Sequence, residues 1–181
     1  AERIRTLDWS NSPLGPMTGW TPTLISTVSL MLPAQAEIVL FWGPDYIALY
    51  NDAYAPTIGD KHPRALGRPA RENWTELWDD LEPLLRGVRE TGQTYSAKDR
   101  PFYIERDGGK GETGEFDSAY SAVRESDGSI GGVLCIVSET TQRVRAETGL
   151  RRSEEQLRLA TENAGIGLWD IDRNGGIALS Y

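Results

Sequence analysis

The segment GGKGET at residues 108–113 carries residue types that could hold a phosphate group. A phosphate-binding P-loop needs a lysine followed directly by serine or threonine, and then a helix. Here Gly111 follows Lys110, and the residues after Thr113 have the pattern of a strand. The segment is therefore predicted to be a hairpin loop without nucleotide chemistry.

A single histidine and a single cysteine limit the other chemistry that the chain could perform. One cysteine excludes a disulfide framework and a cysteine-based zinc cluster, and one histidine nearly excludes metal sites built on several imidazoles. His62 could be a phosphoacceptor, a haem ligand or a base, but it lies between two predicted helix ends, which favours a structural role. Cys135 lies in a predicted buried strand, where a thiol acts as a small apolar filler. The sequence shows no nucleophile–base pair, and we expect that this chain is not an enzyme.

The composition is that of an ordinary globular protein, with 39% apolar and 25% charged residues among 181. The net charge of −8 argues against nucleic acid or an anionic membrane as a partner, because both require a basic surface. No apolar run approaches the roughly 20 residues of a membrane span, and the N-terminus lacks a signal-peptide pattern. We expect a soluble cytoplasmic chain without direct membrane contact, which can be part of a longer protein.

The stretch EIVLFWGPDYIALYNDAY, from Glu37 to Tyr54, contains the elements around which the rest is organised. Ile38–Trp42 is a short β-branched and aromatic run, which predicts a strand buried on both faces. Gly43-Pro44-Asp45 has residue types that favour a tight turn, and the alternating side chains of residues 46–50 predict a second strand. Asn51 or Asp52 can then cap a helix that starts at Ala53.

Helical patterns precede and follow this stretch. Thr21 is a predicted N-cap, and Leu24, Val28 and Met31 form an apolar stripe that either covers one face of the Ile38–Trp42 strand or makes a dimer contact. Short helical turns are predicted at 53–58 and 63–66, ending at glycines 59 and 67. A longer amphipathic pattern runs from Trp74 to Val88, with a kink or a junction of two helices expected near Glu82 because Pro83 lacks an N–H group.

Three further strands are predicted in the second half. Thr94–Glu105 contains Pro101, so it should be an edge strand or be broken there. In 116–123 the even-numbered residues face one way and the odd-numbered residues the other. After a hairpin turn at 126–129, Ile130–Val137 is apolar on both faces and should be central.

The residues Asp8–Trp20 (DWSNSPLGPMTGW), the run WGPDYIALYNDAY and the residues Gly59–Pro63 together resemble the PAS input domains of bacterial sensor histidine kinases. The resemblance implies an α+β PAS fold: a five-stranded antiparallel sheet with short helices over one face, an N-terminal cap helix and a C-terminal signalling helix. It divides the chain into a leader and cap helix (1–35), a PAS core (36–141), a linker helix (142–164) and the truncated start of a second PAS domain (165–181). The tail is expected to form a strand near 166–171, a turn at 174–176 and a strand from Ile177, and to dock on an apolar surface of the first domain.

The resemblance also implies where a signal would leave the domain. Glu139, Thr140 and Thr141 lie where PAS domains carry an acid-x-Thr signature between the last strand and the signalling helix. Beyond them, small and apolar residues recur at alternating spacings of four and three, which predicts a coiled-coil dimer seam. These residues are Ala146, Leu150, Ser153, Leu157 and Ala160. The alternative is a surface helix packed on its own domain.

In PAS domains small ligands bind between the sheet and the helical segment. Six aromatic residues are candidates to line that space in this chain: Trp42, Tyr54, Trp74, Trp78, Tyr103 and Tyr120. The same residues could fill a core that binds no ligand. We expect neither flavin nor haem, because no flavin-binding cysteine motif occurs and the long helix carries no histidine.

The resemblance implies a sensory module of a two-component histidine kinase, which transmits a ligand- or partner-dependent change through a dimeric C-terminal helix. Its expected partners are a second copy of the chain and downstream PAS and kinase domains in the same chain. The alternative is a ligand-free dimerisation or spacing module in a signalling protein with another output, such as a cyclic-di-nucleotide enzyme.

Overall fold

The core of the protein is one antiparallel sheet. Its strands are β1 (Glu37–Trp42), β2 (Ile47–Tyr50), β3 (Tyr95–Arg106), β4 (Lys110–Arg124) and β5 (Ile130–Glu139). They lie in the order β2-β1-β5-β4-β3 in a computed structural model, which describes residues 4, 6–106, 108, 110–164, 168–171 and 177–180. The predicted α+β architecture, a five-stranded antiparallel sheet with short helices, is confirmed.

Strand β1 is buried on both faces, as its unbroken apolar run predicts. Val39 and Phe41 point to the face called inner here, and Leu40 and Trp42 point to the opposite, outer face, because side chains alternate along a strand. Strand β2 is shorter than expected: Tyr46 belongs to the preceding turn, where its backbone has a φ of 51°.

Helix α1 (Pro22–Met31) covers the outer face of β1. The Thr21 hydroxyl accepts a hydrogen bond from the Leu24 N–H (3.2 Å), which is the predicted N-cap. Leu24, Val28 and Met31 are buried in the core, and they are not among the residues described as lining the cavity on the inner face. The stripe therefore packs on its own domain, and the alternative in which it makes a dimer contact is wrong.

Short helical elements lie over the inner face. They are α2 (Ala55–Ile58), a 3₁₀ turn (Gly59–Lys61), α3 (Ala70–Asn73), a second 3₁₀ turn (Thr75–Leu77) and α4 (Trp78–Thr91). At 63–66, where the sequence predicts a helical turn, hydrogen-bonded turns form without a continuous helix, and Gly67 has the left-handed conformation expected at their end, with a φ of 75°. The junction expected near Glu82 is also wrong. Pro83 lies in the second turn of α4, where its missing N–H removes a single intrahelical bond, and the helix continues to Gly92 at its left-handed cap.

The remaining strands follow the predictions closely. Strand β3 is an edge strand, and its register with β4 shifts between Ala97 and Arg100, directly before Pro101. Strand β5 is central, although Ile136 on its outer face is 44% exposed. The other edge of the sheet, at β2, is covered by residues 67–70: the Ala48 N–H donates to the Arg68 carbonyl (2.9 Å) and the Ala48 carbonyl accepts from the Gly67 N–H (2.8 Å).

One buried amide connects these layers. The Asn51 side-chain oxygen accepts from the backbone N–H groups of Ile38 and Tyr54, both at 3.1 Å. Its NH₂ group donates to three backbone carbonyls at the end of α1 and in the connection to β1. Asn51 thus accepts from the Tyr54 N–H ahead of α2, but the helix begins at Ala55 instead of Ala53 and its N-cap residue, Tyr54, makes no side-chain cap hydrogen bond, so the predicted cap is wrong. Asn51 also fixes the position of α1, which the sequence did not indicate.

The structure divides into two units, Ala1–Thr141 and Gln142–Tyr181. The second contains nearly all of helix α5 (Thr141–Ala164) and the antiparallel pair β6 (Leu168–Ile171) and β7 (Ile177–Ser180). The turn expected at 174–176 lies outside the described residues, and the docking of the tail stays a prediction. Among the described residues no helix has both the length and the apolar character needed to cross a bilayer.

Replacing Asn51 by Asp should destabilise the fold strongly. The change keeps the acceptor but turns the NH₂ donor into a carboxylate oxygen that faces three carbonyls. Losing two donor hydrogens, which three buried carbonyls share, at about 1 kcal/mol each predicts a fall of at least about 2 kcal/mol in the free energy of unfolding, measured in urea. The same change at the exposed Asn11 is the matched control and should have little effect. A similar small effect at both positions would contradict the role of Asn51.

Candidate functional site

A small cavity lies between the inner face of the sheet and the helices that cover it. Its volume is about 40 Å³, which leaves room for a few water molecules when each needs roughly 10–15 Å³. The described lining includes no charged side chain. It consists of Val39, Phe41, Tyr54, Thr57, Trp74, Leu77, Leu81, Phe102, Ile104, Phe116, Tyr120, Cys135 and Val137.

Three of the six aromatic candidates line this cavity: Tyr54, Trp74 and Tyr120. Tyr54 follows the turn that Asn51 fixes, and Trp74 lies between α3 and the Thr75–Leu77 turn. Tyr120 lies on β4 opposite Cys135 of β5, so both side chains point to the inner face.

The other three candidates, Trp42, Trp78 and Tyr103, lie elsewhere. Trp42 neighbours Phe41 on a strand and therefore points to the outer face, where its ring packs over Gly131 and Gly132. Tyr103 is 47% exposed on the outer side of β3, between two residues that do line the cavity. Trp78 contacts Tyr46 with ring centroids 6.1 Å apart.

The strand residues that the sequence analysis missed follow from the same alternation, whereas Thr57, Leu77 and Leu81 lie on helical elements. Phe102 and Ile104 flank Tyr103, and Val39 and Phe41 flank Leu40. Once one residue of a strand is known to face the cavity, its neighbours two positions away do so as well. The sequence analysis selected residues by aromatic type instead of by their position along the strand.

The polar groups of the cavity are protonated at neutral pH. Burial raises the pKa of the Tyr54 and Tyr120 phenols above their ordinary value of 10.0. Burial also raises the pKa of the Cys135 thiol to about 12, against a smaller opposing effect of a hydrogen bond with Tyr120. A protonated thiol is a poor nucleophile, so this arrangement suits hydrogen bonding to a neutral molecule and not covalent chemistry.

The predicted signalling residues form a hydrogen-bonded junction between β5 and α5. The Thr141 hydroxyl accepts from the Glu115 N–H of β4 (3.0 Å) and donates to Glu139 (2.9 Å). The Thr140 hydroxyl donates to Asp99 of β3 (2.7 Å). Arg106 of β3 pairs with Glu139 at 2.9 Å. Residues 139–141 are thus bonded to both β3 and β4.

The predicted seam residues lie on a helix, α5, as expected. Leu150 and Leu157 are 63% and 65% exposed. Charged residues beside them pair along the helix, with Arg158 bonded to Glu155 and Glu162. These pairs lie within α5, so pairing of two chains through the seam stays a prediction.

The two remaining candidates, His62 and the glycine-rich segment at 108–113, make contacts within the fold that suit a structural role. The Nδ1 atom of His62 lies 3.1 Å from the Tyr50 hydroxyl, a hydrogen bond that holds the turn after α2 against β2. The glycine-rich segment connects β3 to β4 as a hairpin, as predicted, with Asp107 and Gly109 outside the described residues.

The buried phenols make a prediction about alkaline stability. Because their pKa is raised in the folded state, their contribution to stability is present below the unfolded value near 10 and is lost as the pH rises above it. The free energy of unfolding should therefore fall from pH 10 to pH 12, and the fall should be smaller in Tyr54→Phe and Tyr120→Phe. Tyr103→Phe removes an exposed hydroxyl and is the control. If the free energy of unfolding fell equally with pH in the wild type and in all three variants, the raised pKa of Tyr54 and Tyr120 would not be its cause.

Comparison with known proteins gives the family. The family model described as "PAS fold" matches residues 34–145. An RNA-binding light-oxygen-voltage receptor is similar in structure with a TM-score of 0.50 and 20% identity, over 86% of this chain and 43% of that chain. The chain thus spans less than half of that receptor's length.

Two further structures are similar at low identity. A PAS domain from Colwellia psychrerythraea has a TM-score of 0.50 and 13% identity, over 66% of this chain and 98% of that one. A sensory box histidine kinase/response regulator from Burkholderia thailandensis is 19% identical over 75% of this chain and 98% of that one, at a lower TM-score of 0.47. The family model covers more than half of the chain, and the five-stranded sheet lies in the region that it matches. The chain belongs to the PAS fold family.

Proposed function

We propose that this chain is the sensory or regulatory PAS module of a bacterial histidine kinase, and that changes inside its cavity reach the kinase through helix α5. One observation carries the proposal. Thr141, the first residue of α5, accepts a hydrogen bond from the N–H of Glu115, and the next residue, Phe116, lines the cavity. A single backbone step thus separates the cavity wall from the start of the helix.

The packing around this step favours transmission of small shifts. A Cβ atom at Gly114 would lie 3.0 Å from the Phe116 ring and 3.1 Å from the Thr141 hydroxyl oxygen. The ring and the hydroxyl therefore lie closely against the same stretch of β4. Because packed interiors deform little, a displaced Phe116 ring must move the backbone that holds Thr141.

The charged contacts of the junction give the helix start a defined position. Arg106 bonds to Glu139, and Asp99 accepts from Thr140 in a backbone conformation with a φ of 49°. Such a φ costs energy in a residue other than glycine and persists when surrounding contacts impose it. A junction with defined contacts can have two arrangements that a signal selects between.

The histidine-kinase output rests on the resemblance of the DWS-x-x-PLGP leader at residues 8–16 and of the core to kinase input domains. The alternative to a kinase output is a signalling protein with another output, such as a cyclic-di-nucleotide enzyme. We propose that the module itself performs no reaction, in keeping with the protonated, uncharged groups of its cavity.

A second candidate function is a ligand-free dimerisation and spacing module. The small size of the cavity favours it, since a volume of about 40 Å³ is far below the roughly 300–1,000 Å³ of typical ligand pockets. The two candidates differ in whether the state of the cavity influences the association of α5 helices.

A double-mutant cycle tests the transmission. Cys135→Val adds one heavy atom to the cavity wall and serves as a surrogate for an occupied cavity. We expect it to change the dimer dissociation constant at least about threefold by sedimentation, and to lose this effect when combined with Thr141→Val. Ile136→Leu changes the opposite face of the same strand and is the control. No effect of Cys135→Val would favour the spacing module, and an undiminished effect in the Thr141→Val background would exclude the route through Thr141.

The seam prediction has its own test. Replacing Leu150 and Leu157 by Glu places four like charges at the interface of two parallel helices and should weaken the dimer at least about tenfold. Replacing Arg151 and Arg152 by Glu changes the charge on the flanks of the same helix and is the comparison. If sedimentation shows an unchanged dimer in the first variant, α5 does not associate through this seam.

A further inference from the structure

A buried ion pair lies just outside the cavity. The side chains of Lys61 and Glu76 are each 6% exposed and are bonded to each other. The Lys61 ammonium also donates to the Glu105 carbonyl (2.7 Å), and the Glu105 N–H donates to Glu76 (3.3 Å). The pair therefore joins the Gly59–Lys61 turn, the Thr75–Leu77 turn and the end of β3.

A third contact joins the same parts of the chain. The Asp60 carboxylate, which is exposed, accepts from the Gly108 N–H in the hairpin after β3. We call these three side chains, Asp60, Lys61 and Glu76, with their backbone partners in Glu105 and Gly108, the clasp. Its members belong to segments that are distant in sequence, so the clasp exists only while these segments are packed together.

The clasp lies directly behind one wall of the cavity. Leu77 follows Glu76, Ile104 precedes Glu105, and both Leu77 and Ile104 line the cavity. The other walls of the cavity, formed by the sheet and by α4, are stabilised by other interactions. The sheet has its ladder of backbone hydrogen bonds, and α4 is a 14-residue helix with a left-handed glycine cap.

The helical side of the clasped wall has little stability of its own, whereas its β3 side, with Ile104, belongs to the sheet. Within the described part of the chain, neither of the turns Gly59–Lys61 and Thr75–Leu77 nor helix α3 has a side-chain hydrogen bond at its N-cap. Helical elements this short depend on contacts with the rest of the protein. Gly59 joins α2 to the first turn with a φ of 51°, and because glycine has no Cβ atom its backbone can change conformation there at little steric cost.

We propose that the clasp is the gate of the cavity: its opening separates the Gly59–Lys61 turn from β3 and from Glu76, and admits small molecules between Leu77 and Ile104. This inference rests on the proposed function in taking the cavity as the sensory site. A buried lysine and glutamate suit a gate, because each is costly to leave unpaired in the interior but is well hydrated once it reaches water. The two charges are therefore paired in the closed state and hydrated in the open state. A partly open state, in which they are unpaired but still buried, is disfavoured.

The chain contains a built-in reporter of opening. Cys135 is the single cysteine of the sequence, it lines the cavity, and it is 2% exposed. Burial raises the pKa of its thiol to about 12, so the thiol should react slowly in the closed protein. Opening of the clasp exposes it to water and to reagents.

The experiment measures the rate at which 4,4′-dithiodipyridine labels Cys135 at pH 8, with and without urea below the unfolding transition. Glu76→Gln removes the charge that pairs with Lys61, and we expect labelling without urea to be at least about tenfold faster than in the wild type. Because a local opening exposes little surface, this rate should depend weakly on urea. The double variant Lys61→Met with Glu76→Gln no longer buries an unpaired charge and should return the rate toward the wild-type value.

The control for general destabilisation is Leu24→Ala, which weakens packing on the outer face and leaves the clasp intact. Its labelling should follow global unfolding and rise steeply with urea. The proposal is overturned if Glu76→Gln behaves like Leu24→Ala at a matched free energy of unfolding. Should Glu76→Gln fail to fold, Asp60→Asn removes the exposed part of the clasp, and an increase of about threefold with weak urea dependence is expected. An unchanged rate in that variant would also overturn the proposal.

The outcomes separate this inference from the proposed function. Suppose that Glu76→Gln is labelled fast with a weak dependence on urea, and that Cys135→Val has no effect on dimerisation. The gate would then stand, and the sensory role of the cavity would be excluded. The reverse result would leave the transmission through Thr141 and remove the gate.

Discussion

The hydrogen bonds of the Asn51 side chain are the constraint on which the rest of the fold depends. A carboxamide offers an acceptor and two donor hydrogens in one small group, and Asn51 uses both ends on backbone groups of three different parts of the chain. The end of α1, the start of β1 and the start of the helical segment therefore have fixed relative positions. Since Tyr54 is one of the bonded residues and also lines the cavity, the outer cap helix and the cavity wall share a single anchor.

The far end of β3 joins two other features that look separate in sequence. The backbone of Glu105 takes part in the clasp, and the side chain of the next residue, Arg106, pairs with Glu139 at the junction. A displacement of β3 away from the Gly59–Lys61 turn therefore acts on the residues that begin α5. The proposed route through Phe116 and Thr141 and the contacts of β3 end at the same residues, 139–141, so the two proposals both place their effect at the start of the helix.

The fold could be predicted where local patterns determine it. The apolar run of β1, the Thr21 cap and the alternation of β4 depend on neighbouring residues, and the structure has each of them. Three of the six aromatic candidates for the cavity lie elsewhere, two of them, Trp42 and Tyr103, because aromatic type does not reveal which face of a strand a residue occupies. The clasp could not be predicted, because Lys61, Glu76 and Glu105 are brought together by the fold and by no local pattern.

The two edges of the sheet affect whether strands of neighbouring molecules can pair with it. One edge is occupied by residues 67–70, and the other, β3, carries Pro101, which lacks a donor, and Asp99, whose N–H is bonded inward to Asp117. Lys98 and Arg100 add charge beside them. A strand of a neighbouring molecule thus meets an occupied edge on one side of the sheet and, on the other, an edge whose row of donors is interrupted at Asp99 and Pro101.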